Sequence, residues 1–217
     1  MVVAVFVVAM SVIGAGAFSL LGESAKAGYW TVVEEAVAYA IVFGSIKLIF
    51  FWRQRPLLRT LGWVKTAMSP GALVGAGFGL FAASVVLQVL LRTPDVTTPF
   101  ETMLRSDTLS RLAITVFGVS AGPVIEELLF RGFLQPVMIE AAGVFPGILI
   151  TSMVFGAMHL AQNAGMWQTG VIITLAGFGF GVVRHVTGST QASTISHIAY
   201  NALPFLATTL QSAHPAK

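Results

Sequence analysis

The chain contains no cysteine. This absence excludes disulfide bonds, thiolate nucleophiles and cysteine-ligated zinc sites together. Any nucleophile, general base or metal ligand must therefore be a nitrogen- or oxygen-bearing side chain.

Charged residues are also scarce, at 10% of the 217 residues, against about 25% in a typical soluble domain. The chain is 56% hydrophobic, and its mean hydropathy is +0.85. This composition excludes a soluble enzyme. It predicts an all-α, polytopic transmembrane bundle of about seven helices, each of about 20 residues. The net charge of +3 indicates basic loops facing an anionic leaflet, so we expect a lipid bilayer and no nucleic acid as partner.

Apolar runs predict where the spans lie. They cover residues 2–21, 31–52, 71–91, 112–138, 145–160 and 169–183, and a last span follows the polar run 187–194. The first run is expected to be a spanning helix and not a cleaved signal peptide. We expect one membrane domain over residues 1–217, with three N-terminal spans in 1–111 and a motif-bearing core in 112–212.

The loop charges predict the orientation. Segment 53–65 carries four basic residues and no acid, whereas segment 92–111 balances three arginines with three acids. The positive-inside rule therefore places segment 53–65 in the cytoplasm of a multi-pass protein, for which we expect a prokaryotic cell membrane. Segment 94–110 is expected outside, with a short interfacial helix that serves as a lid or as a substrate-contacting element.

Glycine spacing predicts close helix packing at two places. Gly71, Gly75 and Gly79 recur every four residues, and the sixth span carries Gly177, Gly179 and Gly181. Small residues in such patterns let another helix approach closely.

Segment 122–135, which has the sequence GPVIEELLFRGFLQ, places two adjacent carboxylates and an arginine inside an apolar helix. Ionisable groups in a membrane span are expensive and usually functional. Glu127 and Arg131 are four residues apart and share a helix face, whereas Glu126 is rotated by about 100°. The spacing predicts that Arg131 neutralises Glu127 and leaves Glu126 as a candidate general base. A structural ion-pair network between helices is the alternative.

A second acidic pair, Glu34 and Glu35, has no arginine at the matching spacing. We expect these two residues to be structural or solvated. Upstream of the first pair, Gly118, Gly122 and Pro123 predict a kink that opens backbone groups toward a cavity.

Two more pairs of residues lie four apart, Phe155 with His159 and His197 with Asn201. A histidine near a helix end is often only an interfacial hydrogen-bonding group. Alternating spans place His159 and His197 about 10 Å or more apart in depth at 1.5 Å per residue. The two histidines can still come together if the last helix starts deep in the membrane and the polar run 187–194 forms a loop that lines a wet cavity.

Together these residues resemble the CPBP family, which includes the CAAX-type (type II) prenyl endopeptidases and the bacteriocin-processing and immunity (Abi) proteins. Its motifs are E-E-x-x-x-R, F-x-x-x-H and H-x-x-x-N on separate membrane helices. All three occur here in order, in residues 126–131, 155–159 and 197–201. The resemblance covers residues 110–210.

The resemblance implies an intramembrane endopeptidase with its cavity between the fourth, fifth and seventh spans. A peptide or prenylated peptide would be the substrate. Peptide hydrolysis needs an activated water and a stabilised oxyanion. Glu126 would take a proton from a water that His159 also holds, and His197 with Asn201 would stabilise the oxyanion. The supporting residues would be Glu127, Arg131 and Phe155.

Two alternatives to a glutamate-activated water remain open. A metalloprotease would bind Zn²⁺ through Glu126, His159 and His197. We favour the version without a cofactor, because H-E-x-x-H is absent and Glu127 is committed to Arg131. A catalytically silent immunity or scaffold protein would keep the fold without needing all three motifs, and a transporter is disfavoured because the chain shows no internal repeat.

Overall fold

A computed structural model describes residues 28–52, 54 and 56–213. The predicted first span, 2–21, and the basic residues Arg53 and Arg55 lie outside the described residues. The described part contains helices, turns and loops but no β-strand, which confirms the predicted all-α class. Its α-helices are α1 (Gly28–Trp52), α2 (Leu57–Thr60), α3 (Pro70–Leu90), α4 (Pro99–Ser106), α5 (Thr108–Gly118), α6 (Ala121–Glu127), α7 (Gln135–Ala142), α8 (Val144–Met158), α9 (Trp167–Thr187) and α10 (Thr190–Ala213).

Three helical stretches of the described residues are long and apolar enough to cross a membrane. They are Pro70–Leu90, Thr108–Ala142 and Trp167–Thr187. Helices α8 and α10 pack against them, with α8 between α7 and α9 and α10 along α3. The protein is therefore a membrane helical bundle, as its composition predicts.

The predicted fourth span, 112–138, is longer and less regular than expected. It extends from Thr108 to Ala142. A turn at residues 119–120 separates α5 from α6, which confirms the predicted kink. Leu128–Leu134 then forms a π-helical segment, every residue of which is buried. Nothing in the sequence pattern predicted this segment, and such π-helical turns occur mostly at functional sites.

Local capping residues explain where the helices next to the site begin. The Ser69 side chain accepts a hydrogen bond from Ala72 N–H at the start of α3. Thr98 and Glu101 form a reciprocal capping box for α4, the short helix predicted in segment 94–110. Asp107 caps α5, and hydrogen bonds from the Ser110 hydroxyl and N–H hold the pKa of Asp107 below its usual value. Side-chain oxygens satisfy N–H groups that have no partner within the helix.

The polar run 187–194 does not line a wet cavity, and that prediction is wrong. Helix α10 already begins at Thr190. The Thr190 hydroxyl donates to the Leu61 carbonyl at 2.6 Å, and the Thr190 N–H donates to the Gly62 carbonyl at 2.8 Å. The run is polar because it is buried against the loop after α2, whose carbonyls need donors.

The two glycine patterns differ in whether another described helix packs closely against them. Among the described residues, a Cβ at Gly71, Gly75 or Gly79 would meet nothing within 4 Å, so no described helix packs closely there. Gly77 makes the close approach instead, since its Cβ would lie 2.8 Å from the Ala199 Cβ of α10. Two residues along a helix turn the side chain by about 200°, to the opposite face. Close packing at Gly177, Gly179 and Gly181 is confirmed, because a Cβ at each would collide with a neighbouring side chain.

Candidate active site

A cavity of about 250 Å³ opens within the bundle. The four predicted catalytic residues, Glu126, His159, His197 and Asn201, all line it. The structure thus brings together side chains from the predicted fourth, fifth and seventh spans. More helices line the cavity than predicted, because α1, α4 and α9 contribute residues as well.

The predicted pair between Glu127 and Arg131 is present. Arg131 Nη1 lies 3.0 Å from Glu127 Oε1, and both side chains are 0% exposed. Arg131 Nη2 also donates to the Gly177 carbonyl at 2.8 Å, and its guanidinium carbon lies 4.5 Å from the centre of the Phe155 ring. Neither member of the pair lines the cavity, so Arg131 stabilises the site from outside the cavity.

Glu126 is the carboxylate that the arginine does not neutralise. Its Oε2 lies 3.7 Å from His197 Nε2. Its Oε1 accepts a hydrogen bond from the Tyr39 hydroxyl of α1 at 3.2 Å. Sequence analysis missed this buried tyrosine, although Glu35 and Tyr39 lie four residues apart on one face of the helix.

His197 is held by the other carboxylate. Its Nδ1 lies 3.0 Å from Glu127 Oε1. Glu127 is paired with arginine and accepts only, so we assign the proton to Nδ1. Nε2 then points toward Glu126. Phe180 stacks on the imidazole, with ring centres 4.5 Å apart. Glu127 is therefore more than a partner for Arg131, because it also fixes the tautomer and orientation of His197.

His159 lies just past the end of α8. Its Nδ1 lies 2.8 Å from the Phe155 carbonyl. A carbonyl only accepts, so Nδ1 carries the proton and Nε2 is left to accept. The Phe155 ring contacts both histidines, with ring centres 4.6 Å from His159 and 5.9 Å from His197. The two histidines thus meet at one ring despite the separation in depth that alternating spans predict.

Asn201 is partly committed to the backbone. Its side-chain amide donates to the Gly118 carbonyl at 2.8 Å, where α5 ends. The kink leaves the Gly118 carbonyl without a partner in its own helix, and Asn201 donates a hydrogen bond to it. An amide nitrogen has two N–H donors, so one remains for the predicted oxyanion contact.

The alternative zinc site is not formed as the side chains stand. Among the described residues, no three His, Cys, Asp or Glu side chains converge on a point that could hold a metal ion. Glu126, His159 and His197 share the cavity without enclosing such a point. No catalytic step is therefore derived through a metal here.

Glu35 is the second site residue that sequence analysis missed. Its side chain lines the cavity, and its Oε1 accepts a hydrogen bond from Gln162 Nε2 at 3.2 Å. The expectation that Glu35 is structural or solvated stays a prediction, because neither contact assigns it a chemical role. The side chain of Glu34 lies outside the described ones.

Comparison with known families connects this geometry to a class of protein. Residues 108–203 match the family described as type II CAAX prenyl endopeptidase Rce1-like. The match covers less than half of the 217 residues. It runs from α5 into α10, contains all three motifs, and implies a protease that acts on a peptide substrate in a membrane. The resemblance to CAAX-type endopeptidases is thereby confirmed, whereas the match says nothing of bacteriocin immunity. No curated protein and no solved structure matches the chain.

Proposed function

We propose that this Rce1-like protein is an intramembrane endopeptidase in which Glu126 activates a water molecule. One observation carries the proposal. Glu126 is the carboxylate of its pair that is free of arginine, and it faces the cavity with an oxygen 3.7 Å from His197 Nε2. A general base must lie within hydrogen-bond reach of the proton that it removes, and a carboxylate that lines the cavity can reach a water held there.

The first step uses Glu126 and His159. The water donates one proton toward His159 Nε2, which accepts because Nδ1 is bonded to the Phe155 carbonyl. Glu126 removes the other proton as the water oxygen bonds to the peptide carbonyl carbon. The carbonyl oxygen then carries the negative charge.

The oxyanion is stabilised by His197 and Asn201. His197 Nε2 donates only as an imidazolium, because Nδ1 is already bonded to Glu127. The carboxylates of Glu126 and Glu127 lie beside its two ring nitrogens, in the position that a buried aspartate takes beside the imidazole of a catalytic triad. Glu126 then passes its proton to the amine as the C–N bond breaks, which leaves a carboxylic acid and an amine.

The walls of the cavity favour an apolar, membrane-associated peptide. Phe100 and Met103 of α4 line it together with Phe117 and Phe205. Such side chains contact aliphatic residues or a lipid chain. In this proposal the short helix α4 contacts the substrate, and a lid role for segment 94–110 stays a prediction.

An oxygen-label experiment tests the proposal. The protein is reconstituted in liposomes with a membrane-associated peptide in H₂¹⁸O, and the products are analysed by mass spectrometry. One ¹⁸O atom in the new carboxyl group is the expected result. Intact peptide accompanied by solute flux would contradict the proposal and favour a transporter.

The same preparation decides between glutamate and zinc. Elemental analysis and chelator treatment are compared for the wild type and His159→Ala. Activity that resists chelation is expected of the glutamate version. Stoichiometric zinc that is lost together with activity in His159→Ala would replace it with the metalloprotease.

A further inference from the structure

Tyr39 is the residue of α1 whose side chain bonds to the carboxylate of Glu126. Helix α1 precedes residues 108–203, the segment that matches the family. The Tyr39 hydroxyl donates to Glu126 Oε1 at 3.2 Å. The tyrosine is 6% exposed and packs in a core that includes Leu129 and Phe130. Packing therefore fixes the ring, and the ring fixes the position of its hydroxyl.

The second contact of Glu126 is too long to hold the carboxylate. Its Oε2 lies 3.7 Å from His197 Nε2, whereas hydrogen bonds between nitrogen and oxygen have lengths of about 2.7–3.2 Å. The last torsion of a glutamate side chain is broad and roughly two-fold, so a carboxylate without a bond can turn. Among the described residues, Tyr39 is the side chain whose hydrogen bond sets the plane of this carboxylate.

Helix α1 is itself held at this wall of the cavity. Glu35 lies one helical turn before Tyr39, and its Oε1 accepts a hydrogen bond from Gln162 Nε2 at 3.2 Å. Near the start of the helix, the Tyr29 N–H donates to the Ser110 hydroxyl at 3.2 Å. These bonds join α1 to two other parts of the bundle, so the Tyr39 hydroxyl enters the site from a fixed direction.

We propose that Tyr39 is a positioning residue for the hydrolysis, because its hydroxyl holds Glu126 Oε1 and keeps Oε2 directed toward the water. The inference rests on the proposed function, since the orientation of Glu126 matters to the rate only if this carboxylate acts on the water. Helix α1 then completes the active site, although it carries none of the three motifs. A hydroxyl that only needed a buried partner for itself would not affect kcat.

The test compares two substitutions that each delete one buried hydroxyl. Tyr39→Phe keeps the ring and removes the donor to Glu126. The matched control is Ser84→Ala, because the Ser84 hydroxyl shares a hydrogen bond of 3.0 Å with Tyr200 that joins α3 to α10, and Ser84 does not line the cavity. Both variants are reconstituted in liposomes. The melting temperature is measured for each, together with kcat and KM for a membrane-associated peptide.

The two variants are expected to differ in kcat and not in stability. Both are expected to melt at a lower temperature than the wild type, since each loses a buried hydrogen bond. A misplacement of about 1 Å can cost about 100-fold in rate, so kcat of Tyr39→Phe is expected to fall by about 10-fold to 100-fold. KM is expected to change little, because Tyr39 does not line the cavity. Ser84→Ala is expected to keep the wild-type kcat.

An infrared measurement reports on the contact without any need for turnover. Difference spectra between the wild type and Glu126→Gln, both with ¹³C-labelled glutamate, identify the carboxyl band of Glu126. Tyr39→Phe is expected to shift that band, because the hydrogen bond to Oε1 is lost. Ser84→Ala is expected to leave the band in place.

The outcomes separate the two proposals. Wild-type kcat in folded Tyr39→Phe overturns the inference and leaves the proposed function intact. An equal loss of kcat in Ser84→Ala overturns it as well, because the loss then follows from any missing buried hydroxyl. An unshifted Glu126 band in Tyr39→Phe shows that the contact is not made. A shifted band in a protein that cleaves no peptide even as the wild type contradicts the proposed function, while the contact itself stands.

Discussion

Arg131 is the largest fully buried side chain in the described structure. It is 0% exposed and is held by Glu127, the Gly177 carbonyl and aromatic rings. Removing one partner of a buried ion pair costs about 3–5 kcal/mol, because the other charge is left without compensation. Arg131→Ala is therefore expected to lower the melting temperature in detergent as well as activity, whereas Arg105→Ala, at an exposed position, is expected to change neither. A fully stable but inactive Arg131→Ala would point instead to a direct catalytic role.

Glu127 pairs with Arg131 and also holds His197. Glu127→Gln keeps an oxygen that can accept from His197 Nδ1 but removes the negative charge that both partners share. Loss of such an orienting carboxylate typically costs about 10-fold to 100-fold in activity. We expect kcat to fall by that factor with KM little changed, and the melting temperature to fall because the Arg131 charge is left without compensation. A lower melting temperature with unchanged kcat in the folded variant would mean that Glu127 serves only the ion pair.

At the scale of helices, α9 must approach α8 and the π-helical segment closely. A Cβ at Gly177 would lie 3.0 Å from Arg131 Nη2 and 3.0 Å from the Phe155 ring. Gly177→Ala is thus expected to destabilise the protein by about 1–3 kcal/mol through overpacking. The matched control is Gly75→Ala, where a Cβ would meet no described residue within 4 Å and alanine favours the helix. Thermal unfolding that ranks the two variants in the opposite order would contradict this packing.

The contrast between predicted and observed elements has a physical cause. The pair Glu127–Arg131 follows from helical spacing alone, so the sequence predicts it. The π-helical segment, the bond from Tyr39 to Glu126 and the place of Glu35 depend on which helices become neighbours. Such contacts leave no pattern in the local sequence. Gly77 was missed for the same reason, because spacing shows that small residues share a face but not which face meets α10.

For the whole molecule, the orientation in the membrane stays a prediction from loop charge. The start of α10 is bonded to the loop after α2, so the two segments lie at one end of the bundle, as alternating spans require. Lys65 and Asp95 are both exposed, and the chain has no native cysteine. An impermeant thiol reagent on intact cells is expected to label Asp95→Cys and to spare Lys65→Cys. Equal labelling would overturn the orientation.

The central claim is that Glu126 is the general base, and Glu126→Gln tests it most directly. The substitution preserves shape and an oxygen that can accept from Tyr39, but it removes the basic carboxylate. The measurement is kcat for a membrane-associated peptide in proteoliposomes, with Glu140→Gln as the matched control and monodisperse extraction as the test of folding. The account predicts that kcat falls by about 10² to 10⁴ in Glu126→Gln and is unchanged in Glu140→Gln. Hydrolysis at the wild-type rate by folded Glu126→Gln would contradict it.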